Sequence, residues 1–445
     1  MTGIGFIQPS SEYLYDPFRG DPFTHFHLLT ILENALGKKI EASLIDLRGI
    51  KKEFAIYHIP ERDVYLHSVY TLDWEEQIAI VRALRETYPK AIHIAGGPHA
   101  QAFPKESAAI FDALILGEGE TLTVRAIEDF MAGKLQKQYR QTTPVDINAY
   151  PHDRRHFLPV STTSRKNLMA LRKRPEFREL LGTTVIFSRG CPYNCHFCAI
   201  REARENFPGI RYRRPQHVEA ELEYLKHDYG IQAVVLTDEI SIPLKRELAV
   251  PHLEAIGRAN VVWRGQCRVD GVTPEIVKLA RESGCVAMGM GMESVHQPSL
   301  DLINKRISVE RARQTIALFK ESGIEVRLYL IMGLPGEPED IVEKTWSFLC
   351  ETDPDLVILS LFTVRPGTEV FNHPEKFGIK RIIGDPSKTM HMFGRYDSER
   401  PVLTFEYEPA APWGKSLSAD QIIDNYIELQ NRLKQRNISN AYYAK

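Results

Sequence analysis

The segment Cys191-Pro192-Tyr193-Asn194-Cys195-His196-Phe197-Cys198 places three cysteines within eight residues of a 445-residue chain. The β-prone run Thr183–Ser188 and the turn-forming pair Arg189-Gly190 stand directly before it, so we expect the cysteines at the C-terminal end of a strand. The other three cysteines are scattered: Cys267, Cys285 and Cys350. Clustering of this kind, in a sequence without an export signal, indicates a metal site rather than disulfides.

The spacing of the three cysteines favours an iron–sulfur cluster. A cubane cluster has four irons and prefers thiolate ligands. Three cysteines in one loop leave one iron without a protein ligand, and that open iron can chelate the amino and carboxylate groups of a small molecule. Zinc is the alternative, but a structural zinc site needs a fourth Cys or His at comparable spacing. His196 lies between two of the cysteines and is poorly placed to be that ligand.

Composition excludes several classes of protein. Hydrophobic residues make up 43% and charged residues 26% of the chain, which is typical of a soluble globular protein of two or three domains. The net charge of −2 gives no reason to expect a nucleic acid or an acidic membrane as partner. Met1–Ser10 lacks the pattern of a signal peptide, and no apolar run reaches the ~18 residues of a membrane helix. We therefore expect a cytoplasmic protein.

Residues 1–145 alternate short apolar runs with amphipathic stretches. This pattern predicts a parallel sheet with helices on both faces, a doubly wound, Rossmann-like α/β domain. Such sheets bind ligands beyond the carboxyl ends of their strands. The predicted strands are Ile4–Ile7, Glu41–Asp46, Val64–Val69, Ala91–Ala95 and Ala113–Leu116. The predicted helices include His25–Ala35, Trp74–Thr87 and Leu122–Gly133.

A second alternating region covers residues 183–375 and predicts a partial (β/α)6 TIM-like barrel, whose chemistry should lie at the C-terminal strand ends. Residues 146–182, with several prolines and a basic run, are predicted to be a solvated linker. Residues 376–445 form a C-terminal extension, a small helical tail ending in a helix over Ala419–Arg436 with Ser418 as its N-cap. The predicted barrel strands are Thr183–Ser188, Ala233–Thr237, Val261–Gly265, Val286–Met292, Glu325–Met332 and Leu356–Leu361.

The cysteine motif resembles the radical S-adenosylmethionine (SAM) superfamily, whose hallmark is C-x3-C-x-aromatic-C. The resemblance implies that Cys191, Cys195 and Cys198 hold a catalytic [4Fe–4S] cluster that cleaves SAM, with Phe197 beside the adenine. It also implies SAM contacts at the ends of later strands. Those positions are Asp238 and Glu239 for the amino group, Arg268 after the third strand, Glu293 for the ribose, Arg327 for the carboxylate and Gly333 beside the adenine. Each arginine alone would more often be a structural ion pair, and Gly333 can serve only a turn.

The N-terminal region resembles the cobalamin-binding domain that precedes many radical SAM domains. The shared features are a Ser68-containing third strand and two glycine phrases, GGPH (Gly96, Gly97, Pro98, His99) and GEGE (Gly117, Glu118, Gly119, Glu120). Glycines after a strand let the backbone approach a large ligand closely. Cobalamin mutases ligate cobalt through the histidine of Asp-x-His-x-x-Gly, but here Asp46 is followed by Leu47-Arg48-Gly49-Ile50-Lys51. This departure agrees with cobalamin held without histidine ligation, and equally with a degenerate domain that binds none.

The resemblance implies a reaction. A reduced cluster splits SAM into methionine and a 5′-deoxyadenosyl radical, which abstracts a substrate hydrogen; methylcobalamin then delivers a methyl group, so the expected function is methylation of an unactivated carbon. The alternative is an oxidative cyclisation or rearrangement, as in cyclases of tetrapyrrole biosynthesis. A non-enzymatic alternative is a cobalamin- or SAM-binding sensor. The implied partners are an external electron donor, such as flavodoxin or ferredoxin, and an unidentified substrate, which is a small molecule, a peptide or a protein.

Overall fold

The computed structural model describes residues 1–12, 14, 16–18, 20–150, 152–200, 209–384 and 400–439. The chain divides into two compact units. The first contains Met1–Thr163, and the second contains Ser164–Gly384 together with the C-terminal residues. Within the described part of the chain, no helix is both long and apolar enough to cross a membrane.

The first unit is built on a six-stranded parallel sheet in the order β2-β1-β3-β4-β5-β6. Its central strands are apolar on both faces because helices cover the sheet on both sides; all five residues of β3 are buried. The strand order reverses between β1 and β3, which is where doubly wound sheets bind ligands. The strands are β1 (Thr2–Gln8), β2 (Ile40–Asp46), β3 (Val64–Ser68), β4 (Ile92–Gly96), β5 (Ala113–Leu116) and β6 (Gln138–Arg140).

The helices of this unit follow its strands in the order expected for a doubly wound fold. The α-helices are α1 (Phe23–Leu36), α2 (Trp74–Thr87), α3 (Pro98–Ala102), α4 (Pro104–Ile110), α5 (Glu120–Met131) and α6 (Val160–Thr163). Single 3-10 segments lie at Gly37–Lys39, Lys52–His58 and Thr71–Asp73. The doubly wound prediction is confirmed, and β5 and α2 have the predicted bounds. The edge strand β6 was not predicted.

The second unit contains a six-stranded parallel sheet in the order β14-β13-β12-β11-β10-β7, which is the predicted partial (β/α)6 barrel. The barrel strands are β7 (Gly182–Val185), β10 (Ala233–Leu236), β11 (Val262–Cys267), β12 (Cys285–Glu293), β13 (Glu325–Met332) and β14 (Leu356–Leu361). A short antiparallel pair, β8 (Ser188–Cys191) and β9 (Gly209–Tyr212), follows β7. The helices are α7 (Pro215–Tyr229), α8 (Arg246–Ala259), α9 (Pro274–Glu282), α10 (Gln297–Leu302), α11 (Val309–Glu321), α12 (Ile341–Thr352) and α13 (Glu369–Asn372), with 3-10 segments at Pro175–Glu179 and Pro374–Phe377.

The C-terminal extension is more than the predicted helical tail. It ends in α14 (Ala419–Gln435), close to the predicted bounds, and Ser418 caps this helix in a reciprocal capping box with Gln421. Before the helix, however, the chain forms two small antiparallel sheets. They consist of β15 (Ile379–Ile382) with β16 (Phe405–Tyr407), and β17 (Ala410–Ala411) with β18 (Gly414–Lys415).

The expectation of a solvated linker over residues 146–182 is wrong. In the first unit, Arg155 is fully enclosed and pairs with Asp21, with 3.1 Å between Nη1 and Oδ2. In the second unit, Met169 and Leu171 are buried against the barrel strands. The first part of the segment therefore packs within the first unit and the second part within the second unit, because their charged and apolar residues contact residues distant in the sequence.

Candidate active site

The cysteine loop begins within a hairpin rather than directly after a barrel strand. β7 ends at Val185, and Cys191 is the last residue of β8, where it pairs with Gly209. Gly190 has a φ of +86°, and a Cβ there would lie 2.6 Å from the Gly209 carbonyl oxygen. Only glycine fits this approach. The hairpin thus fixes the backbone at the first cysteine.

The three cysteines are reduced and mostly enclosed. Cys195 is buried and Cys191 and Cys198 are half-buried, with none in a disulfide. Burial raises the pKa of the Cys191 thiol, with Arg268 opposing the rise, and raises the pKa of Cys198 to about 11. Among the described residues, no three His, Cys, Asp or Glu side chains converge on a position for a single metal ion. As a donor set, three soft thiols in one loop fit the thiolate ligation of an iron–sulfur cluster.

The middle of the loop is held by the turn after α10. The His196 N–H donates to the Ile303 carbonyl at 2.9 Å, and the His196 ring Nδ1 lies 3.2 Å from the Leu302 carbonyl oxygen. The Asn304 side-chain amide donates to the Asn194 carbonyl at 2.6 Å. His196 therefore serves the backbone of this turn, which agrees with its exclusion as a fourth ligand.

Phe197 packs against the barrel core, beside a buried ion pair. Lys305 Nζ lies 5.8 Å from the Phe197 ring centre and 2.6 Å from Glu293 Oε1. Glu293 ends β12 at a φ of +68°, and the register with β13 shifts between Gly291 and Glu293. This bulge turns the carboxylate toward Lys305. The sequence prediction of Glu293 as a ribose contact did not include this lysine, since no local signal links the two residues.

Arg268 lies against the cysteine loop. Its guanidinium carbon is 3.5 Å from the centre of the Tyr193 ring, and it forms two hydrogen bonds with Asp270, at 2.9 and 3.1 Å. It also donates to the carbonyls of Lys305 and Arg306. Tyr193 was not singled out from the sequence, although it lies midway between two cysteines. Arg268, predicted to bind SAM, thus has well-defined protein partners.

Asp238 and Glu239 follow β10. Asp238 Oδ1 accepts hydrogen bonds from the Phe187 N–H at 2.8 Å and from the Ser188 hydroxyl at 2.7 Å, so it holds the chain just before Cys191. Its second oxygen, Oδ2, is buried and has no hydrogen-bond partner within the described residues. Burial raises the pKa of Asp238 to about 6. The unpartnered oxygen, with the exposed Glu239 beside it, fits a cationic ligand group such as the amino group of SAM.

Arg327 lies near the amino end of β13, whereas Gly333 directly follows the carboxyl end, where the chemistry of such a barrel is expected. Arg327 is the third residue of the strand and donates to the Ala170 carbonyl at 2.9 Å. Gly333 has a φ of +91°, and its N–H donates to Glu337 Oε2 at 2.7 Å. Glu337 is buried, and sequence analysis had not singled it out. Contact of Arg327 with a carboxylate, and of Gly333 with an adenine, remain predictions.

The GGPH phrase is tightly packed within the first unit. Gly97 has a φ of +96°, and a Cβ there would lie 2.8 Å from both the N and O atoms of Val69. His99 is buried, stacks on Trp74 with 4.2 Å between ring centres, and has Nδ1 3.3 Å from the Thr71 hydroxyl. Gly96 and Ser68 end β4 and β3, and Pro98 begins α3. Gly97 is therefore explained by close protein packing, and a ligand contact here stays a prediction.

The GEGE phrase connects β5 to α5. Gly117 has a φ of +111° and abuts Gln141, and Glu118 accepts a hydrogen bond from the Val145 N–H at 2.9 Å. Gly119 is the N-cap of α5, where a Cβ would lie 3.1 Å from Leu28. The buried Glu120 has Oε1 3.1 Å from Nε2 of His27. Gln141 and Val145, the partners of Gly117 and Glu118, follow β6, so the phrase helps to hold that segment. Contact between the GEGE phrase and a ligand stays a prediction.

Arg48 occupies the position of the mutase histidine. Its Nε and Nη2 donate to the two carboxylate oxygens of Asp46 at 2.8 and 2.7 Å, and its Nη1 donates to the Gly20 carbonyl. An arginine cannot be a metal ligand while protonated, and this one is fixed by a bidentate ion pair. The loop therefore fits cobalamin without a protein axial ligand from this position.

Part of this chain is similar to known radical SAM proteins. Residues 185–349 match the family model of the Radical SAM superfamily. The chain is 26% identical to the anaerobic magnesium-protoporphyrin IX monomethyl ester cyclase of Cereibacter sphaeroides, over 68% of this chain and 51% of that protein. It is 23% identical to bacteriochlorophyllide d C-8(2)-methyltransferase of Chlorobaculum tepidum, over 71% and 69%. The chain therefore spans about half the length of the cyclase.

A solved structure shares the fold of both units. The radical SAM methyltransferase TsrM from Kitasatospora setae, solved with cobalamin and a [4Fe–4S] cluster, superposes with a TM-score of 0.62 at 17% identity, covering 83% of this chain and 77% of that one. At this identity the likeness shows the fold. The match to the Radical SAM family model spans the cysteine loop and the barrel strands from β10 to β13, so this part of the chain is similar to radical SAM domains.

Proposed function

We propose that this protein is a cobalamin-dependent radical SAM enzyme that methylates an unactivated carbon of its substrate. One observation carries the proposal: a three-thiol loop at the strand ends of a (β/α)6 barrel occurs in the same chain as a doubly wound unit with Arg48 at the mutase histidine position. The enzyme works in the cytoplasm, and an external donor such as flavodoxin or ferredoxin supplies electrons. Its substrate is a small molecule, a peptide or a protein.

The residues of the barrel have distinct tasks. Cys191, Cys195 and Cys198 would hold the [4Fe–4S] cluster, which with bound SAM supplies radical chemistry at unactivated C–H bonds, while cobalamin supplies a transferable methyl group. Asp238 fixes the start of the hairpin through Oδ1 and leaves Oδ2 for the amino group of SAM. That contact repays part of the cost of burying a carboxylate.

The residues of the first unit would hold and orient cobalamin, with neither Arg48 nor His99 as a cobalt ligand. The proposed site is at the carboxyl ends of β1 and β3, where the strand order reverses, because doubly wound sheets bind ligands there. Arg48 is neutralised by Asp46, and His99 is enclosed beside Trp74. Cobalamin held without a histidine ligand from these positions would supply a transferable methyl group.

Product stoichiometry tests the proposal. Full-length protein with cluster and cobalamin is incubated anaerobically with reductant and methyl-deuterated SAM, using bacteriochlorophyllide d and magnesium-protoporphyrin IX monomethyl ester as probes. A methylase uses SAM in two ways, so it yields 5′-deoxyadenosine and S-adenosylhomocysteine in near-equal amounts, with label in the product. Cys191→Ala should abolish both products. Cys350→Ala, which removes an exposed cysteine outside the loop, is the matched control and should retain them.

Oxidative cyclisation is the second candidate, and the 26% identity to the magnesium-protoporphyrin cyclase favours it. A cyclase uses only the homolytic route. It would form 5′-deoxyadenosine in step with an altered, unlabelled tetrapyrrole and without matching S-adenosylhomocysteine. That result would replace methylation with cyclisation while retaining the radical SAM chemistry. Tight SAM binding without cleavage under strong reductant, in the cluster-loaded protein, would instead support a sensor.

A further inference from the structure

Two aromatic rings of the cysteine loop each lie near a buried cation. The Arg268 guanidinium stacks on Tyr193 at 3.5 Å, and Lys305 Nζ lies 5.8 Å from the Phe197 ring centre. The cations belong to one connected group, because Arg268 donates to the Lys305 carbonyl at 2.9 Å. Cation–aromatic contacts strengthen as water is excluded. At Arg268 the side chain is only 8% exposed, so this contact is of the stronger kind.

Arg268 is held in one orientation. Nε and Nη2 each donate to one carboxylate oxygen of Asp270, and Nη2 also reaches the carbonyls of Lys305 and Arg306. A planar guanidinium fixed by several acceptors on one edge presents its face in a defined direction. Here that face covers Tyr193. A lysine at this position would carry the same charge, but it could not form the two parallel hydrogen bonds to Asp270 and also stack on the Tyr193 ring.

The turn at residues 303–306, which Arg268 contacts, also forms hydrogen bonds with the backbone of the cysteine loop. Asn304 donates to the Asn194 carbonyl, and the Ile303 carbonyl accepts from the His196 N–H. Asn304 and Arg306 both have positive φ, at 53° and 54°. Non-glycine residues adopt this conformation when the surrounding contacts repay its cost. The cysteine loop is thus held by contacts at Tyr193, Asn194 and His196. The first two residues lie between Cys191 and Cys195, and His196 directly follows Cys195.

We propose that Arg268 is a positioning residue for the iron–sulfur cluster: it fixes the Cys191–Cys195 span through Tyr193, and its positive charge, by offsetting the negative charge of Asp270, favours the reduced state of a cluster held there. The inference rests on the proposed cluster at these cysteines. Cluster potentials depend on net charge and on hydrogen bonding around the sulfurs. Residues that orient ligands typically change metal affinity by about ten- to a hundredfold when they are lost.

Arg268→Gln tests the charge. The variant and the wild type are reconstituted anaerobically as full chains, and the midpoint potential is measured by electron paramagnetic resonance during a dithionite titration. We expect the potential of Arg268→Gln to shift to more negative values. Arg246→Gln removes an exposed arginine paired with Glu275 on the outside of the barrel and should leave the potential unchanged. Equal potentials in Arg268→Gln and wild type would overturn the role of the charge.

Tyr193→Leu tests the positioning role by removing the aromatic ring that Arg268 contacts. This test remains valid even if Arg268→Gln does not fold. Iron release to a chelator should be roughly tenfold faster than in wild type. Tyr193→Phe keeps the ring and should release iron at the wild-type rate. Release from Tyr193→Leu at the wild-type rate would overturn the positioning role. A wild-type chain that takes up no cluster would instead overturn the proposed function, so the two failures are distinguishable.

Discussion

Replacing Glu337 with glutamine should remove a specific pH dependence from the stability of the barrel unit. Glu337 is 4% exposed and accepts a hydrogen bond from the Gly333 N–H at 2.7 Å. Burial raises its pKa from 4.5 to about 8, against the opposing effect of the hydrogen bonds from Gly333 and Leu334. At neutral pH the folded chain therefore holds a protonated carboxyl beside the turn predicted to contact adenine.

The sign of the effect follows from proton binding. Between pH 4.5 and about 8 the folded chain keeps the Glu337 proton, whereas the unfolded chain has released it. The folded state binds more protons, so the free energy of unfolding falls as the pH rises through this window. The full difference between the two pKa values corresponds to ~5 kcal/mol, which is an upper bound. The glutamine of Glu337→Gln is neutral at every pH, so this fall in the free energy of unfolding should be absent from the variant.

The assay is urea unfolding of the cofactor-free chain, followed by circular dichroism at several pH values. Subtracting wild type from variant cancels every other titrating group, provided that those groups are distant. The difference should grow in favour of Glu337→Gln as the pH rises from about 5 to 8.5. Glu339→Gln is the matched control: Glu339 is exposed, and Lys415 lowers its pKa, so no such gain is expected. Parallel curves for wild type and Glu337→Gln would refute the reasoning.

Three further predictions concern the first unit. Asp21→Ala removes the carboxylate that pairs with the enclosed Arg155 and should cost about 3–5 kcal/mol of unfolding free energy. Gly97→Ala forces a Cβ to within 2.8 Å of Val69 at a φ of +96° and should cost about 1–3 kcal/mol. His99→Ala should leave the absorption spectrum of bound hydroxocobalamin in the base-off form expected for wild type, because the proposal gives His99 no role as an axial ligand.

Chemical denaturation measures the first two, with the exposed Arg154→Ala as a control that should change little. An Asp21→Ala chain as stable as Arg154→Ala would contradict the role of the enclosed pair. Full stability of Gly97→Ala would show that the turn can relax. Titration with hydroxocobalamin measures the third, where a wild-type spectrum that changes coordination in His99→Ala would identify the histidine as a ligand.

Periodicity was sufficient for the regular elements. β13, β14, β5 and α2 have the predicted bounds, because a buried parallel strand is a continuous apolar run and an amphipathic helix repeats about every 3.6 residues. β6 was missed, since Gln138–Arg140 is a three-residue edge strand with only Tyr139 buried. A segment this short and polar has no period to detect. The small sheets of the C-terminal extension were missed because each of their strands has only two to four residues.

Contacts between distant residues could not be predicted from the sequence. The cysteine loop is a local motif and was found, but its supports come from elsewhere: Arg268 lies 75 residues beyond Tyr193, and Asn304 bonds Asn194 across 110 residues. The burial of Arg155 depends on Asp21, 134 residues earlier. The prolines and basic residues of the segment suggested a solvated linker instead. Sequence patterns report which faces are apolar, whereas pairing of buried charges depends on the tertiary fold.

Iron analysis with spectroscopy tests the central claim most directly. Anaerobically reconstituted wild-type protein should contain about four irons per chain, and SAM should perturb the electron paramagnetic resonance signal of the reduced cluster. Cys191→Ala, Cys195→Ala and Cys198→Ala should each lose the cluster and the cleavage of SAM, while Cys350→Ala should keep both. Stoichiometric zinc, with no visible absorption and no iron, would contradict the account.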